Sequence, residues 1–232
     1  MLRAILFDFD GTIVNSEPLI MKLTQQMASQ QGWTITDEEY YHDYLALDDR
    51  GIVEHLFQSH GQPLDAARRD ELVTWKTHAY WEAIHDGLPV FPGAVDFVRK
   101  VAGEFPLAIA SGSFRAEIEY LLGKIGLRDK FALLVTADDV AHSKPSPEVF
   151  LKAWAQLSLA AFNPRDGHNP LLAAECLVIE DAPAGVLAGH AAGMKCLALA
   201  QSRPPEELRS AEWVYGNFTE VDLEKIRSGF NG

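Results

Sequence analysis

Apolar and polar positions along this chain follow two rhythms. Near the start, Leu2, Ala4, Ile5, Leu6, Phe7 and Phe9 form a short apolar run with little polar interruption, the pattern of a strand buried on both faces of a parallel sheet. From residue 16 the spacing becomes helical. Ser16 stands where a cap belongs, Glu17 and Pro18 suit a first turn, Ile20, Leu23 and Met27 recur at helical intervals, and Gly32 ends the run. Thr36 and Glu39, at capping-box spacing, open a second helix that leads into Tyr40, Tyr41 and Tyr44. A third follows the polar loop 47–50, with Val53, Leu56 and Phe57 on one side and Gly61 as its stop. The fourth and longest covers 65–86, with Leu72, Trp75, Ala79 and Ala83 as its apolar stripe, and Gly87 and Pro89 break it. Residues 16–88 therefore read as a helical bundle inserted directly after the first strand.

From Pro89 the rhythm becomes strand, helix, strand. A helix at 93–101 precedes an apolar strand at 107–110, which ends in Ser111-Gly112-Ser113. A helix carrying Ile118, Leu121, Leu122 and Ile125 leads to a strand at 131–136, and Ser146 and Pro147 start a helix that runs through Leu157. Residues 158–174, rich in Asn-Pro and Asp-Gly pairs, read as a long surface loop. A strand at 176–179 then ends in Glu180-Asp181, Pro183 opens a helix that stops at Gly193, and 196–200 is another strand. Alternation of this kind predicts an α/β fold whose parallel sheet has helices on both faces. The sheet domain is expected from 1–15 together with 89–232, and the helical bundle from 16–88.

The totals narrow the function classes. With 232 residues and 47% hydrophobic content the chain can bury a real core. Cys176 and Cys196 lie within apolar strand-like runs and are expected to be buried, reduced thiols without chemistry. A formal net charge of −13 opposes binding to nucleic acid or an anionic membrane, so an anionic substrate needs local cations. No apolar run approaches the ~20 residues needed to span a bilayer. Met1 leads straight into the first strand with no signal-peptide pattern, so a cytoplasmic location is expected; a monomer is expected as well. The eight histidines show no metal-binding spacing, and Trp75, Tyr80 and Trp81 read as packing.

The chemistry is concentrated where strands end. Asp8 and Asp10 close the first strand two residues apart, and Gly11 follows at once. A buried strand should not end in two close carboxylates unless a cation or strong hydrogen bonds compensate them. The candidate cation is Mg2+, which prefers oxygen ligands and bridges carboxylates to a substrate phosphate. In a parallel α/β sheet the ligand sits outside the carboxyl ends of the strands, near the topological switch point. Asp8, Asp10, Ser111, Lys144, Glu180 and Asp181 all fall there.

These segments resemble a known family. DFDGT at 8–12, the SGS turn at 111–113, SKPSPEVF at 143–150 and IEDAPAGVLAGHAAGMK at 179–195 are similar, in order and spacing, to the four motifs of the haloacid dehalogenase-like hydrolase superfamily. The chain is most similar to its phosphatase and β-phosphoglucomutase-like branch. The resemblance implies a five- or six-stranded Rossmann-like core, a small helical cap at 16–88, and a phosphorylated small-metabolite substrate. It implies Asp8 as the nucleophile that becomes an aspartyl phosphate, and Asp10 as general acid and then base, its backbone carbonyl also binding metal. Ser111 and Gly112 would cradle the phosphoryl group with Lys144, and Asp181 would be a further Mg2+ ligand, with Glu180 beside it either as a ligand itself or supporting the ligands. Arg50 and Lys76, on the cap, would hold the part of the substrate beyond the phosphate.

Rival readings stay in view. The family's dehalogenases lack the second acid, so Asp10 argues against dehalogenation, and its phosphonate-cleaving members also depart at Asp10. The mutases carry a histidine and a lysine in the cap where Ile20 and Ala46 stand here, so hydrolysis is expected over phosphomutation. A non-enzymatic binding protein on the same fold need not keep Asp10, Lys144 and Asp181 together.

Overall fold

The computed structural model describes residues 1–45, 47–161 and 169–231. Contacts between Cα atoms divide the chain into two compact units, one of Met1–Asn15 with Pro89–Gly232 and one of Ser16–Leu88.

The first unit is a six-stranded, wholly parallel sheet. Its strands are β1 (Ala4–Phe7), β2 (Leu107–Ala110), β3 (Leu133–Val135), β4 (Cys176–Glu180), β5 (Lys195–Leu199) and β6 (Trp213–Tyr215), in the order β3-β2-β1-β4-β5-β6. β1 is central: Phe7 pairs with Ile109 of β2 on one side and with Ile179 of β4 on the other. The topological switch point therefore lies between the ends of β1 and β4. Both faces of β1 are covered, which explains its unbroken apolar run. Ala4 and Leu6 join a buried cluster with Val149, Phe150, Val178 and Val186. On the other face Phe7, fully buried, packs edge-on against Phe131 with ring centroids 5.7 Å apart and lies near Phe97 and Phe218. Burial of such a ring contributes roughly 2–3 kcal/mol.

The second unit holds α1 (Glu17–Gln30), α2 (Asp37–Glu39) running on into a π-turn at Tyr40–Tyr44, α3 (Asp49–Ser59) and α4 (Ala66–Ala83). Its core collects Met27, Tyr40, Tyr44, Ile52, Leu56 and Leu72, among others. The capping box at Thr36 and Glu39 is formed, and Asp48 and Asp65 cap α3 and α4 through Gly51 N and Arg68 N. Gly32, at φ 81°, closes α1 with Trp33 N–H on Ala28 O, a Schellman ending.

Several sequence expectations are corrected. Ser16 precedes α1 but makes no capping bond, because its own backbone is already helical. The stripe on α4 holds in part: Leu72 is buried and Trp75 packs half-buried against the core, but Ala79 and Ala83 are only half-buried and the other buried position, one turn after Leu72, is Lys76. The expected loop at 158–174 begins later, since the helix opened by Pro147 is Glu148–Ala161; Ser158, Leu159 and Ala160 continue a run with no helix breaker. Residues 162–168 of that loop, and Ala46 of the mutase comparison, lie outside the described residues. The remaining helices of the first unit are α5 (Ala94–Ala102), α6 (Arg115–Lys124), α7 (Glu148–Ala161), α8 (Pro183–Ala191) and α9 (Leu223–Gly229). Among the described residues, no helix is long and apolar enough to cross a membrane.

Candidate active site

Asp8 follows β1 directly, its N–H donating to Ile179 O of β4, so its backbone is fixed by the sheet itself. After Asp10 the chain folds back: Gly11 N–H reaches Val14 O at 2.8 Å, and Ile13 N–H reaches Phe9 O at 2.8 Å. Gly11 has φ 78°, and a Cβ there would lie 2.2 Å from Asp181 Oδ2, so the turn needs glycine for two separate reasons. Gln201, just past β5, clasps the turn by donating Nε2–H to Gly11 O and Thr12 O.

Lys144, on the loop before α7, reaches into this corner. Its Nζ lies 2.6 Å from Asp8 Oδ1 and 2.5 Å from Glu180 Oε1, and sits 4.9 Å from the centroid of the Phe150 ring. Glu180, at the end of β4, is 1% exposed. Its second oxygen accepts from the N–H groups of Asp181 and Ala182, which holds the carboxylate at the N-terminal end of α8, where the helix dipole favours negative charge. A Cβ on Gly185 would fall 1.9 Å from Glu180 Cδ, so a glycine in the first turn of α8 makes room for that side chain. Asp181 is buried and accepts from the hydroxyls of Ser202 and Thr12.

Three buried carboxylates thus converge: one oxygen from each of Asp8, Glu180 and Asp181 lies within 4.8 Å of the others. One ammonium touches two of them. The charge does not balance, and the acids respond. Burial, then the neighbouring Glu180, pushes Asp181 up to about 7. Burial also raises Asp8, against the opposing pull of Lys144. Burial works to lower Lys144, but Asp8 and Glu180 outweigh it and hold the ammonium above the usual lysine range. An all-oxygen donor set with excess negative charge is the kind that suits a hard divalent cation such as Mg2+.

Ser111 ends β2, with its N–H on Val135 O and its hydroxyl accepting from Ser113 N–H at 3.2 Å. Ser111, Gly112, His142, Ser143 and Lys144 line a recess of about 50 Å3. The Ser113 hydroxyl donates to Asp10 Oδ2. In the helical unit Arg50 is exposed on the first turn of α3, whereas Lys76 is 3% exposed and ion-paired with Asp49.

Asp8, Lys144, Glu180 and Asp181 are brought into one cluster, with Asp10, Ser111 and Gly112 on the adjoining strand ends. Sequence reasoning placed Thr12, Ser113 and Gly185 inside its motifs without giving them a role, and passed over His142, Gln201 and Ser202. Gln201 and Ser202 carried a usable signal, since they follow a parallel strand at its carboxyl end, where ligands gather. A second mixed cluster, His190, Cys196 and Glu212, lies at the opposite ends of the strands. There Glu212 Oε2 accepts from Cys196 N–H at 2.7 Å and lies 3.1 Å from His190 Nε2, and the Cys196 thiol donates to Val186 O. Burial holds that thiol well above its ordinary value. Both cysteines are buried and free.

Comparison with known proteins gives a consistent picture. A family model described as a haloacid dehalogenase-like hydrolase matches residues 2–193. The fructose-1-phosphate phosphatase YqaB of Escherichia coli strain K12 is 33% identical over 193 residues, 82% of this chain and 92% of that protein. Validoxylamine A 7'-phosphate phosphatase of Streptomyces hygroscopicus subsp. limoneus is 27% identical over 233 residues, 95% of this chain and 96% of its own. In fold, β-phosphoglucomutase from Clostridium difficile superposes with a TM-score of 0.81 at 22% identity, covering 100% of this chain and 98% of that one.

Proposed function

The chain belongs to the haloacid dehalogenase-like hydrolases, and we propose that it hydrolyses a small sugar phosphate through a phosphorylated Asp8, with Mg2+ at the carboxylate cluster. It is a hydrolase of phosphoric monoesters, as its phosphatase relatives indicate. The observation that carries the finer reading is the placement of Asp8: a carboxylate fixed by the sheet at the switch point, with Lys144 on one oxygen and Asp181 close by.

Each residue has a task that its surroundings support. Asp8 attacks phosphorus, and Lys144, held by Glu180, neutralises charge on the phosphoryl oxygens. Asp10 protonates the departing alkoxide and then takes a proton from the water that resolves the aspartyl phosphate. Ser111 and the Gly112 N–H orient the phosphoryl group. Asp8, Asp181 and the Asp10 carbonyl would hold Mg2+, which supplies charge neutralisation and alignment of the phosphate. Glu180, with both oxygens engaged, keeps Lys144 in place. Arg50 and Lys76 are assigned to the substrate beyond its phosphate.

Sugar phosphates are favoured because relatives bear the names fructose-1-phosphate phosphatase and hexitol phosphatase B. Hydrolysis is favoured over phosphomutation because Ile20 and Ala46 offer no polar group to hold a sugar bisphosphate in two orientations. The test is incubation with Mg2+, β-glucose 1-phosphate and a trace of β-glucose 1,6-bisphosphate, alongside a panel of ketose and polyol phosphates. Phosphate release without glucose 6-phosphate is expected for whichever sugars are accepted. Rapid isomerisation with little free phosphate would overturn the reading.

A further inference from the structure

We propose that Ser113 is a positioning residue that sets the orientation of Asp10 for proton transfer, an inference that rests on the reading of Asp10 as general acid. The contact joins residues 103 positions apart, with the Ser113 hydroxyl donating to Asp10 Oδ2. Ser113 is itself held on both sides of its peptide unit: its N–H donates to Ser111 Oγ at 3.2 Å, and its carbonyl accepts from Ala137 N at 3.0 Å. The donor is thus anchored to the ends of β2 and β3. Asp10 rides on the separate turn after β1, whose backbone is closed by Gly11, Val14 and Gln201. That turn fixes the Asp10 backbone and leaves its side-chain rotations to be settled by a contact of this kind.

The consequence is chemical. When Asp8 attacks, a bond forms from its carboxylate oxygen to phosphorus and the ester P–O bond breaks, while the proton on Asp10 passes to the ester oxygen, which leaves as the alcohol. With Ser113 donating to Oδ2, the transferable proton is carried by Oδ1, so the serine selects which oxygen delivers it. Loss of that selection hurts in proportion to how badly the leaving group needs a proton.

Phenyl phosphate and 4-nitrophenyl phosphate are similar in shape and differ in the basicity of the departing phenolate, so they isolate this effect. For Ser113→Ala, kcat on phenyl phosphate should fall about tenfold or more and on 4-nitrophenyl phosphate by less than about threefold, since general acid catalysis is worth about 10^2 to 10^4 in full. KM should change little, and Ser113→Thr, which keeps the hydroxyl, should restore phenyl phosphate turnover. Asp10→Asn, run in parallel, should show the same leaving-group dependence more steeply. An Asp10→Asn variant without it would remove the acid assignment and the present inference together. A normal Asp10→Asn signature combined with an equal loss on both esters in Ser113→Ala, or with no rescue by Thr, would overturn the role of Ser113 and leave the proposed function standing.

Discussion

The two units each keep a lysine largely out of water, and they treat it in opposite ways. Lys76, 3% exposed, is paired with Asp49, whose side chain is 38% exposed and can be solvated on its own. Lys144, its side chain 14% exposed, is wedged between Asp8 and Glu180, whose side chains are 10% and 2% exposed, with Asp181 adding a third buried acid. The first arrangement is neutral as a pair. The second is overcharged, and its cost is met by fixed backbone donors and by the room that Gly11 and Gly185 leave. A folded protein tolerates such an imbalance where a ligand or ion is meant to correct it. The overcharged corner is therefore where a ligand or ion has the larger imbalance to correct, and the balanced pair is where little is left to correct.

The sharpest way to break this contrast is Asp8→Asn. Turnover should drop at least ~10^3-fold, roughly 4 kcal/mol of barrier, while the unfolding midpoint in EDTA holds or rises because one buried charge has gone. Comparable activity in the variant would sink Asp8 as nucleophile.

Lys144→Met comes next. Urea unfolding in EDTA should show a loss of about 3 kcal/mol, since removing one partner strands buried charge, and Mg2+ should return part of it. Catalysis should be lost in either condition.

Protons and metal should then compete for the same oxygens. Asp181, pushed up to about 7, and Asp8, raised in the same sense, bind more protons folded than unfolded above their ordinary values. Their contribution to the metal-free protein is present at low pH and is lost as pH rises from about 4 through about 7. Mg2+ reverses that trend. Its thermal stabilisation should grow between about pH 5 and about pH 8, EDTA should abolish turnover, and Ca2+, with looser geometry, should oppose activity. A metal-induced shift that is flat with pH in wild type would disconnect these acids from the ion.

The smallest effect is expected from Lys76→Met. Stability should change by no more than about 1 kcal/mol, because Asp49 keeps access to water. A loss as large as that of Lys144→Met would erase the distinction between the two pairs.

Much of this was legible from residue order because the signals were local. The run 2–9, the SGS turn and the Glu180-Asp181 pair each mark a strand end by the change from apolar to polar, and the capping box at Thr36 and Glu39 is visible in four residues. What escaped was of two kinds. β6 is three half-buried residues and α9 seven, too short for periodicity to register. Contacts such as Ser113 with Asp10, or Ser202 with Asp181, join distant positions and follow from strand order rather than from spacing. Lys76 shows the limit most plainly, since its burial against Asp49, 27 positions away, has no signal in the spacing of the apolar residues around it.

The central position of β1 also sets an order of events during synthesis. Ile5 must wait for Leu107 on one side and Leu177 on the other before its backbone finds partners, whereas the contacts that define residues 16–88 close within that contiguous stretch. Helical segments form fast and locally, and long-range parallel pairing comes late. On the ribosome, then, the inserted helices can take shape while the first strand, apolar on both faces, still hangs unpaired as the segment most in need of shelter from aggregation. Asp8 meets Lys144 and Glu180 only when the chain has grown past β4. The machinery begun at residue 8 is thus among the last parts of the molecule to be assembled.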